Sequence, residues 1–360
     1  IGSEEVTNGN FSQEGSELIT NGDFDGNANG WNVGDWTYSN GKMVSNGAVN
    51  LLQSGRNFTV GKFYKITYTI QDYVSGGVVG LVGTSPYAET TERNENGVFT
   101  EIIECQASGS LFILQGRNNF IGSIDNVSVK EVGQDWTLGT GWSIGDDKAI
   151  CDGTANEAIF QANNFIDGKS YKITFDILDY TSGELICRFN SNETNTFNSV
   201  GSHTLYFTSD NSFDYVYFKS QSNFIGSISN ISVKEVGQDW VIANNVGTNT
   251  RIENNSLVIE TDGAYTQVEQ PSVTISGNKY KLVYTVLNSD DGNLGLVTEG
   301  NTVVLIPSSV GTHIYYYTSH STSFILKRYS GALSVTISNI SILEITDDTN
   351  LPRINYSGFT

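Results

Sequence analysis

The sequence is poor in basic residues and has no long apolar run, and both features bear on the partners that the protein can have. Its 19 Lys and Arg face 39 Asp and Glu, which gives a net charge of −20. Without a basic face to neutralise phosphates, nucleic acids and anionic membrane surfaces are disfavoured partners. The sequence has no run of about 18 apolar residues, which excludes a transmembrane helix. No secretory signal peptide is visible either.

Residues that carry catalytic or metal chemistry are also few. Three Cys are too few and too scattered for a disulfide framework. Cys151 and Cys187 could pair, but their apolar surroundings favour buried thiols. There is no CxxC, and the three His do not cluster, so no zinc site is indicated. GxSxG, a phosphate-binding loop and a Ser/His/Asp order are all absent, so we expect a protein that is not an enzyme.

Good helix formers are scarce as well, whereas residues of strands and turns are plentiful. Gly (38), Tyr (18) and Phe (18) are abundant, together with Thr, Ser and Asn. Aromatic and β-branched residues favour strands, and Gly and Asn favour tight turns. The composition therefore predicts an all-β protein.

Two phrases recur along the chain. The first, NFIGSIDNVSVKEVGQDW at 119–136, returns at 223–240 with two changes and at 333–345 as LSVTISNISILEI. The second alternates apolar and polar residues, and its three copies are YKITYTIQDYVSG (64–76), YKITFDILDYTSG (171–183) and YKLVYTVLNSDDG (280–292). Strict alternation predicts a strand with one buried face. We therefore expect three tandem jelly-roll-like β-sandwich domains: module 1 (16–133), module 2 (134–237) and module 3 (238–346).

The ends of the chain and its aromatic landmarks give further expectations. SEEVTNGNF at 3–11 echoes SELITNGDF at 16–24, so residues 1–15 are predicted to be a linker or partial repeat. The polar residues 347–360 are predicted to be a linker into a further domain. GWNVGD (30–35) matches GWSIGD (141–146), which aligns Trp31 with Trp142. Four Trp lie where strands begin and are predicted to be buried: Trp31, Trp136, Trp142 and Trp240. The inward face of the closing strand is predicted to hold Val127, Val129, Ile231, Val233, Ile340 and Ile342.

ELITNGDFDGNANGW, with GSIDNVSV closing the same module, resembles carbohydrate-binding modules of the galactose-binding-like jelly-roll type. The resemblance implies a structural Ca²⁺ that ties the opening segment to the closing strand. Its ligands here would be Asn21, Asp23, Asp25 and Asp125. Ser229 and Ser338 replace Asp125 in the other modules, so at most one ion is expected, and no cofactor is required. The alternative is that Asp125 accepts hydrogen bonds within a turn.

Sugar binding would use exposed aromatic rings for stacking and Arg or amide groups for hydroxyls. Twelve residues are candidates for this role: Trp36, Tyr38, Arg56, Tyr73, Tyr180, Arg188, Tyr215, Tyr217, Tyr315, Tyr317, Arg328 and Tyr329. The alternative for each aromatic residue is packing in the core or on a sheet face, because the rings recur at period two.

A second resemblance concerns whole phrases. SEEVTNGNFSQEGSELITNGDF, VKEVGQDWTLGTGWSIGDDKAICDGT and TNLPRINYSGFT are similar to phrases of tailed-phage virion proteins, especially from marine phages. This implies a non-enzymatic structural or adhesin protein on the virion surface, in a tail fibre or capsid-attached appendage. Its partners would be other virion proteins and cell-surface glycans, and a homotrimer is expected by analogy. Two alternatives stay open: a carbohydrate-binding array of a secreted bacterial enzyme or surface adhesin, and a capsid or filament protein with no ligand.

Overall fold

The computed structural model describes residues 1–188, 195–210, 214–243 and 248–346. The predicted C-terminal linker, 347–360, lies outside them. Within the described residues the chain forms 23 strands and one 3₁₀ turn, Glu299–Asn301. No helix in this part of the chain is long and apolar enough to cross a membrane. The fold is all-β, and its three jelly-roll-like sandwiches follow one another along the chain.

Seven strands recur in every module in the same pairing order, and modules 2 and 3 each begin with one further short strand, β8 at Thr137–Leu138 and β16 at Val241–Ala243. The strands of module 1 are β1 Thr37–Ser39, β2 Lys42–Asn46, β3 Asn50–Gln53, β4 Phe63–Gly83, β5 Ala88–Glu89, β6 Gly97–Glu104 and β7 Leu111–Val132. Those of module 2 are β8 Thr137–Leu138, β9 Trp142–Gly145, β10 Lys148–Asp152, β11 Ala158–Ala162, β12 Ser170–Arg188, β13 Asn195–Phe197, β14 Gly201–Thr208 and β15 Tyr215–Val236. Those of module 3 are β16 Val241–Ala243, β17 Arg251–Glu253, β18 Ser256–Thr261, β19 Gln267–Gln270, β20 Lys279–Thr298, β21 Thr302–Leu305, β22 Gly311–Thr318 and β23 Phe324–Glu344.

Two long strands form the frame of every module. In module 1, β4 and β7 pair along their whole length, with register shifts near the middle of β4. The first half of β4 and the second half of β7 make one layer with β6, β2 and β1. The other two halves make the second layer with β3 and β5. The layers face each other, since the Tyr68 hydroxyl lies 3.4 Å from the Val78 carbonyl oxygen.

The predicted alternation places the core between these layers. Tyr64, Ile66, Tyr68 and Ile70 are all buried in module 1. Their counterparts in the other modules are also buried: Tyr171, Ile173, Phe175, Ile177, Tyr280, Leu282, Tyr284 and Val286. Cys105, Cys151 and Cys187 are buried free thiols, so the predicted preference for thiols over a disulfide is confirmed.

A bulge at the same Asn interrupts the pairing of the closing strand in all three modules. Asn126, Asn230 and Asn339 have φ values of 51°, 54° and 50°. Each lies where the register between the two long strands shifts by one residue. Asn tolerates this left-handed conformation better than most residues, which explains why Asn stands at the centre of the repeated phrase.

The first Tyr of each YK phrase fixes the turn before its strand. The hydroxyls of Tyr64, Tyr171 and Tyr280 accept hydrogen bonds from backbone N–H groups five residues upstream, at 2.9, 3.0 and 2.8 Å. A buried hydroxyl needs such a partner. The phrase therefore encodes both a strand and the turn that leads into it.

Residues 16–24, which we call clamp 1, complete the edge of module 1. Leu18 N donates to Val129 O at 2.9 Å, and Val127 N donates to Gly22 O at 2.8 Å. The Glu17 carboxylate accepts from the Val129 N–H and the Ser128 hydroxyl. A further set of clamp contacts joins Gln53 to both backbone groups of Thr20, the Trp31 indole N–H to Asn21 O, and the Phe24 ring to Trp31. Clamp 1 is thus an irregular segment that bonds to the edge of β7 and is held there by side-chain anchors.

Residues 3–11, which we call clamp 2, make the same contacts in module 2 rather than in module 1. Glu5 N donates to Val233 O at 2.9 Å, and Ile231 N donates to Gly9 O at 2.9 Å. The remaining anchors also recur: Glu4 with Ser232 and Val233, Gln161 with Thr7, the Trp136 indole N–H with Asn8 O, and Phe11 with Trp136. The start of the chain therefore belongs to module 2, and the chain then enters module 1 with clamp 1.

The clamps correct two expectations. Residues 1–15 are not a free linker, since Val6 and Phe11 belong to the core of module 2. Trp31 is equivalent to Trp136 and not to Trp142, because both indoles donate to the Asn of a clamp. The sequence alignment followed Gly-Trp pairs, whereas the structure follows the contacts of the indole.

The Gly of each clamp passes directly over a backbone carbonyl. A Cβ atom on Gly22 would lie 1.9 Å from Val127 O, and one on Gly9 would lie 1.9 Å from Ile231 O. No side chain fits at that distance. This close approach accounts for the Asn-Gly pair that both clamps share.

Candidate functional site

Most of the predicted sugar-binding residues do not form exposed platforms. Trp36 is buried in the core, with its ring 5.8 Å from that of Phe120. Tyr317 is also buried and packs against Tyr280 and Phe324. For these two residues the prediction was wrong, because their strands turn the rings inward.

Two other candidate Tyr fix turns within the long strands. The Tyr73 hydroxyl donates to Gly76 O at 3.0 Å, and the Tyr180 hydroxyl donates to Gly183 O at 3.1 Å. Both rings are half-buried against a core Phe. Their role in the structure is to hold the bend between the two layers.

The remaining candidates of modules 1 and 3 are scattered. Arg56 donates to the Thr20 hydroxyl of clamp 1, and Arg328 donates to Gly331 O. Tyr315 packs half-buried against the core of module 3. Tyr38 and Tyr329 are exposed, at 36% and 47%, but neither makes a ring contact with another aromatic residue in the described part of the chain. None of these five belongs to an aromatic cluster.

The candidates of module 2 come together on the outer face of its second layer. In register, Phe160 lies opposite Tyr217, and Tyr217 lies opposite Arg188. Residues directly opposite each other on neighbouring strands point to the same face. Three strands, β11, β15 and β12, therefore present a row of two rings and one guanidinium. We call Phe160, Arg188, Tyr215 and Tyr217 the aromatic row.

The ring geometry holds this row as one unit. Phe160 and Tyr217 are stacked, with ring centroids 6.2 Å apart and an interplanar angle of 29°. Tyr215 meets Phe160 edge-on at 5.4 Å and is 39% exposed. Burial raises the pKa of the Tyr217 hydroxyl, and the nearby Arg188 charge opposes that rise. The row thus offers a partly exposed aromatic surface beside a fixed positive charge.

Phe160 is the member that the sequence interpretation missed. The signal was present in AIFQA (158–162), where Ile159 and Gln161 are buried and the residue between them is not. Alternation alone would have placed Phe160 on the outer face. Its pairing with Tyr217 could not be read from the sequence, because the two are on strands that are not consecutive.

Modules 1 and 3 carry different residues at the same positions. In module 1 the row is Leu52, Ile113 and Leu81, which form a small aliphatic cluster with Val79. In module 3 the equivalent of Phe160 is Glu269, which lies opposite Ile325 and accepts a hydrogen bond from Ser323. Among the described residues, the aromatic row is therefore a feature of module 2.

A polar recess lies at the end of the strand that carries Phe160. It has a volume of about 380 Å³, and its lining is Glu5, Thr7, Asp135, Gln161, Ala162, Asn163 and Asn164. Carboxylates accept hydrogen bonds from hydroxyl groups, and side-chain amides both donate and accept them. The recess is therefore a polar surface to which Glu5 and Thr7 of clamp 2 contribute.

The predicted calcium ligands are not gathered around one point. The Asn21 amide donates to Asn27 O and Asn29 O, and Asp23 accepts from the Asp25 N–H. Asp125 accepts from Asn126 N at 2.7 Å. In the described ranges, no three His, Cys, Asp or Glu side chains are close enough together to hold a metal ion. The calcium ion therefore stays a prediction.

No protein-family model and no curated protein matches the chain. Among solved structures, it is similar to the N-terminal CBM22-1–CBM22-2 tandem domain of Xyn10C from Paenibacillus barcinonensis. The identity is 10%, 62% of this chain and 92% of that chain are covered, and the TM-score is 0.22. It is also similar to a triple jelly roll protein of the turret assembly in an archaeal virus. Here the identity is 12%, the coverage is 84% and 88%, and the TM-score is 0.19. The fold assignment rests on the strand order and registers given above.

Proposed function

We propose that the chain is a non-enzymatic structural and binding protein of a virion appendage. Its three modules act as a spacer, and module 2 binds carbohydrate through the aromatic row. The observation that carries the binding proposal is the alignment of Phe160, Tyr217 and Arg188 across three neighbouring strands. The likeness of several phrases to tailed-phage virion proteins supports the location.

The chemistry of the aromatic row suits a sugar ring. Apolar C–H faces of a sugar can stack on the exposed parts of Phe160 and Tyr217, as apolar ligand faces do on aromatic side chains. The planar Arg188 guanidinium offers several donors in a fixed geometry for hydroxyl or carboxylate groups. A shallow site of this kind binds weakly by itself, and repetition in an oligomer would raise its avidity.

The joints between modules support the spacer role. Only Gly133–Trp136 and Gly237–Trp240 separate the closing strand of one module from the next module. At the first joint, Phe63 and Ile102 of module 1 pack against the core cluster of module 2. At the second joint, Ile252 N donates to the Ser170 hydroxyl at 3.1 Å, and Ile242 N donates to Gly168 O at 2.7 Å. Such contacts restrict bending between neighbours.

Glycan binding by the purified chain and a Tyr217→Ala variant tests the proposed site. On an array and by titration, we expect affinity to fall at least about tenfold, as for removal of a contact aromatic worth more than ~1.4 kcal/mol. Tyr329→Ala is the matched control, because Tyr329 is exposed in module 3 and lies outside the aromatic row. Silence on the array by folded protein would contradict carbohydrate binding, and equal binding by both variants would contradict its assignment to the aromatic row. Antibody labelling of intact particles tests the location separately.

A further inference from the structure

Module 3 has every part of the slot that receives a clamp in modules 1 and 2. Gln53, Gln161 and Gln270 occupy the same register position, opposite Phe112, Val216 and Phe324 respectively. The closing strands align on Asn126, Asn230 and Asn339, which gives Ser341 and Ile342 as the counterparts of Ser128 and Val129. Trp240 follows Gly237 as Trp136 follows Gly133, with the same turn hydrogen bond.

None of the described residues fills this slot as a clamp. The described part of β23 from Asn339 to Glu344 pairs with β20 on one side and with no segment on the other. In modules 1 and 2 the equivalent edge bonds to the backbone of a clamp. A free strand edge of this kind exposes unpaired N–H and C=O groups and can accept an added strand.

The side chains of the slot report the same difference. Val127, Val129, Ile231 and Val233 are buried, whereas Ile340 and Ile342 are only half-buried. Trp31 and Trp136 are 8% and 2% exposed, whereas Trp240 is half-buried, contrary to the sequence prediction. Within the described residues, the Trp240 indole N–H and the Gln270 amide have no hydrogen-bond partner. In modules 1 and 2 the equivalent side chains contact a clamp, whereas those of the module 3 slot contact no such segment among the described residues.

Two cavities between modules show where the missing contact would be. The cavity between modules 1 and 2, of about 510 Å³, is lined on one side by Phe11, Ser12 and Glu14. The cavity between modules 2 and 3, of about 500 Å³, is lined instead by Trp240, Ile337 and Ile340. In the first cavity the equivalent Trp136 is covered by Phe11, whose ring lies 5.2 Å away. Among the described residues, the lining of the second cavity therefore has no Phe in the place of Phe11.

The position of Ile1 indicates how a segment could reach this place. Ile1 lines the second cavity as Glu14 lines the first. Gly2 N donates to Glu235 O as Gly15 N donates to Glu131 O, so Ile1 and Glu14 occupy equivalent positions. Phe11 precedes Glu14 by three residues, a span of at most about 10 Å in extended chain. A Phe joined three residues ahead of Ile1 could therefore contact Trp240.

We propose that module 3 binds a third extended segment of the class Glu-x-(Val/Ile)-Thr-Asn-Gly-x-Phe, which enters from the side of the cavity where Ile1 lies. Its Glu binds the Ser341 hydroxyl and the Ile342 N–H, as Glu17 and Glu4 bind their counterparts. Its Thr backbone bonds Gln270, its Asn carbonyl accepts from the Trp240 indole, and its Phe packs on Trp240. The slot selects this class because only Gly can pass over the carbonyl of Ile340.

A fusion tests the proposal directly. A copy of residues 2–13, GSEEVTNGNFSQ, is placed immediately ahead of Ile1, which sets its Phe three residues before Ile1. Of the five Trp, four are buried and Trp240 is half-buried. Acrylamide reaches the exposed indole most easily, so quenching of the Trp fluorescence reports mainly on Trp240. We expect quenching to fall and amide exchange at residues 340 and 342 to slow by at least about tenfold, as for a newly paired edge. A fusion with Ala in place of that Phe and Gln in place of the first Glu is the matched control.

Three outcomes would overturn the proposal. The first is unchanged quenching and exchange in the fusion, while module 2 keeps its protection. The second is slower exchange in module 3 together with faster exchange in module 2, which would mean that the slots do not hold separate segments. The third is protection of Trp240 in the unfused chain that rises with protein concentration, which would assign the slot to a second copy. Trp240→Phe in the fusion should retain packing but lose part of the exchange protection.

Discussion

Modules 2 and 3 have the same strands and the same slot, but within the described part of the chain a clamp completes the edge of module 2 and not that of module 3. The segment that completes it comes from far away in the sequence: Glu4 contacts Val233, 229 residues later. Module 3 leaves Trp240, Gln270 and the edge of β23 partly exposed. The comparison teaches that a repeat in the sequence is not identical to a folding unit. In modules 1 and 2 the folded unit consists of its repeat and a clamp, and in module 2 the two are encoded far apart.

The largest effect should come from removing the aromatic anchor of clamp 2. Phe11→Ala deletes a ring that is 2% exposed and packs on Trp136. We expect a loss of about 3–5 kcal/mol of unfolding free energy, because truncating a buried Phe leaves a cavity. Module-resolved hydrogen exchange should show the loss in module 2 and little change in modules 1 and 3. Phe24→Ala is the control, and it should destabilise module 1 instead. Equal destabilisation of modules 1 and 2 by Phe11→Ala would break the assignment of clamp 2.

A smaller effect should separate Gln161 from Gln270. Gln161 is 5% exposed and bonds both backbone groups of Thr7, at 3.0 and 2.9 Å. Gln161→Ala should cost about 1–3 kcal/mol in module 2, because it leaves the Thr7 groups unsatisfied. Gln270→Ala should leave the thermal unfolding of module 3 unchanged, since its amide bonds nothing in the described structure. A clear loss in the Gln270 variant would mean that a segment already fills the slot.

The smallest expected effect is the change of stability with pH, and its sign differs between a carboxylate beside clamp 1 and one in clamp 2. Hydrogen bonds and ion pairs with Lys130 and Lys65 lower the pKa of Glu14 beside clamp 1. Its stabilisation is present above the ordinary pKa and is lost as pH falls through the lowered value in the folded state. Burial and the charges of Glu235 and Glu4 raise the pKa of Glu5. The folded state then binds this proton more tightly, so module 2 gains stability as pH falls through the raised value.

Calorimetric melting between pH 7 and pH 3 should therefore show a small early gain in module 2 and a later loss in module 1. Each change should be below about 1 kcal/mol, because the groups are partly exposed and solvent screens them. Glu5→Gln should remove the gain, and Glu14→Gln should remove the loss. Leu18 occupies the place of Glu5 in clamp 1, so Glu5→Leu should also stabilise module 2 at pH 7. A pH profile with the same sign in both modules would contradict this account.

Alternation in the sequence was enough to predict the strands of the core. Tyr64, Ile66, Tyr68 and Ile70 lie on the predicted face because a half-buried strand must bury every second residue. The length of the strands was not predictable in this way. The recurring closing phrase begins at Asn119, whereas the single bent strand β7 that contains it begins at Leu111. Bends at Asn118 and Asn119, which have positive φ, resemble turns in sequence but keep the ladder continuous.

The candidate site was harder to predict, for a geometric reason. Both layers carry aromatic residues at period two, so the sequence does not tell which ring faces the core. Trp36 and Tyr317 turned inward, while Tyr215 and Tyr217 turned outward. The echo between residues 3–11 and 16–24 was visible, but its meaning depends on contacts across more than two hundred residues. No local pattern encodes which module a clamp will enter.

The attachment of clamp 2 to module 2 rather than to module 1 has a mechanical consequence. Clamp 2 fastens the start of the chain to the closing strand of module 2, so all of module 1 lies inside a loop closed by those contacts. Tension applied between residue 1 and module 3 passes through clamp 2 and leaves module 1 unloaded. Backbone hydrogen bonds and the Phe11–Trp136 contact must rupture before module 1 feels any force. Once they rupture, module 1 enters the force-bearing path and the extension of the chain increases by the length of that folded module. The contacts of clamp 2 therefore set the force at which module 1 becomes loaded.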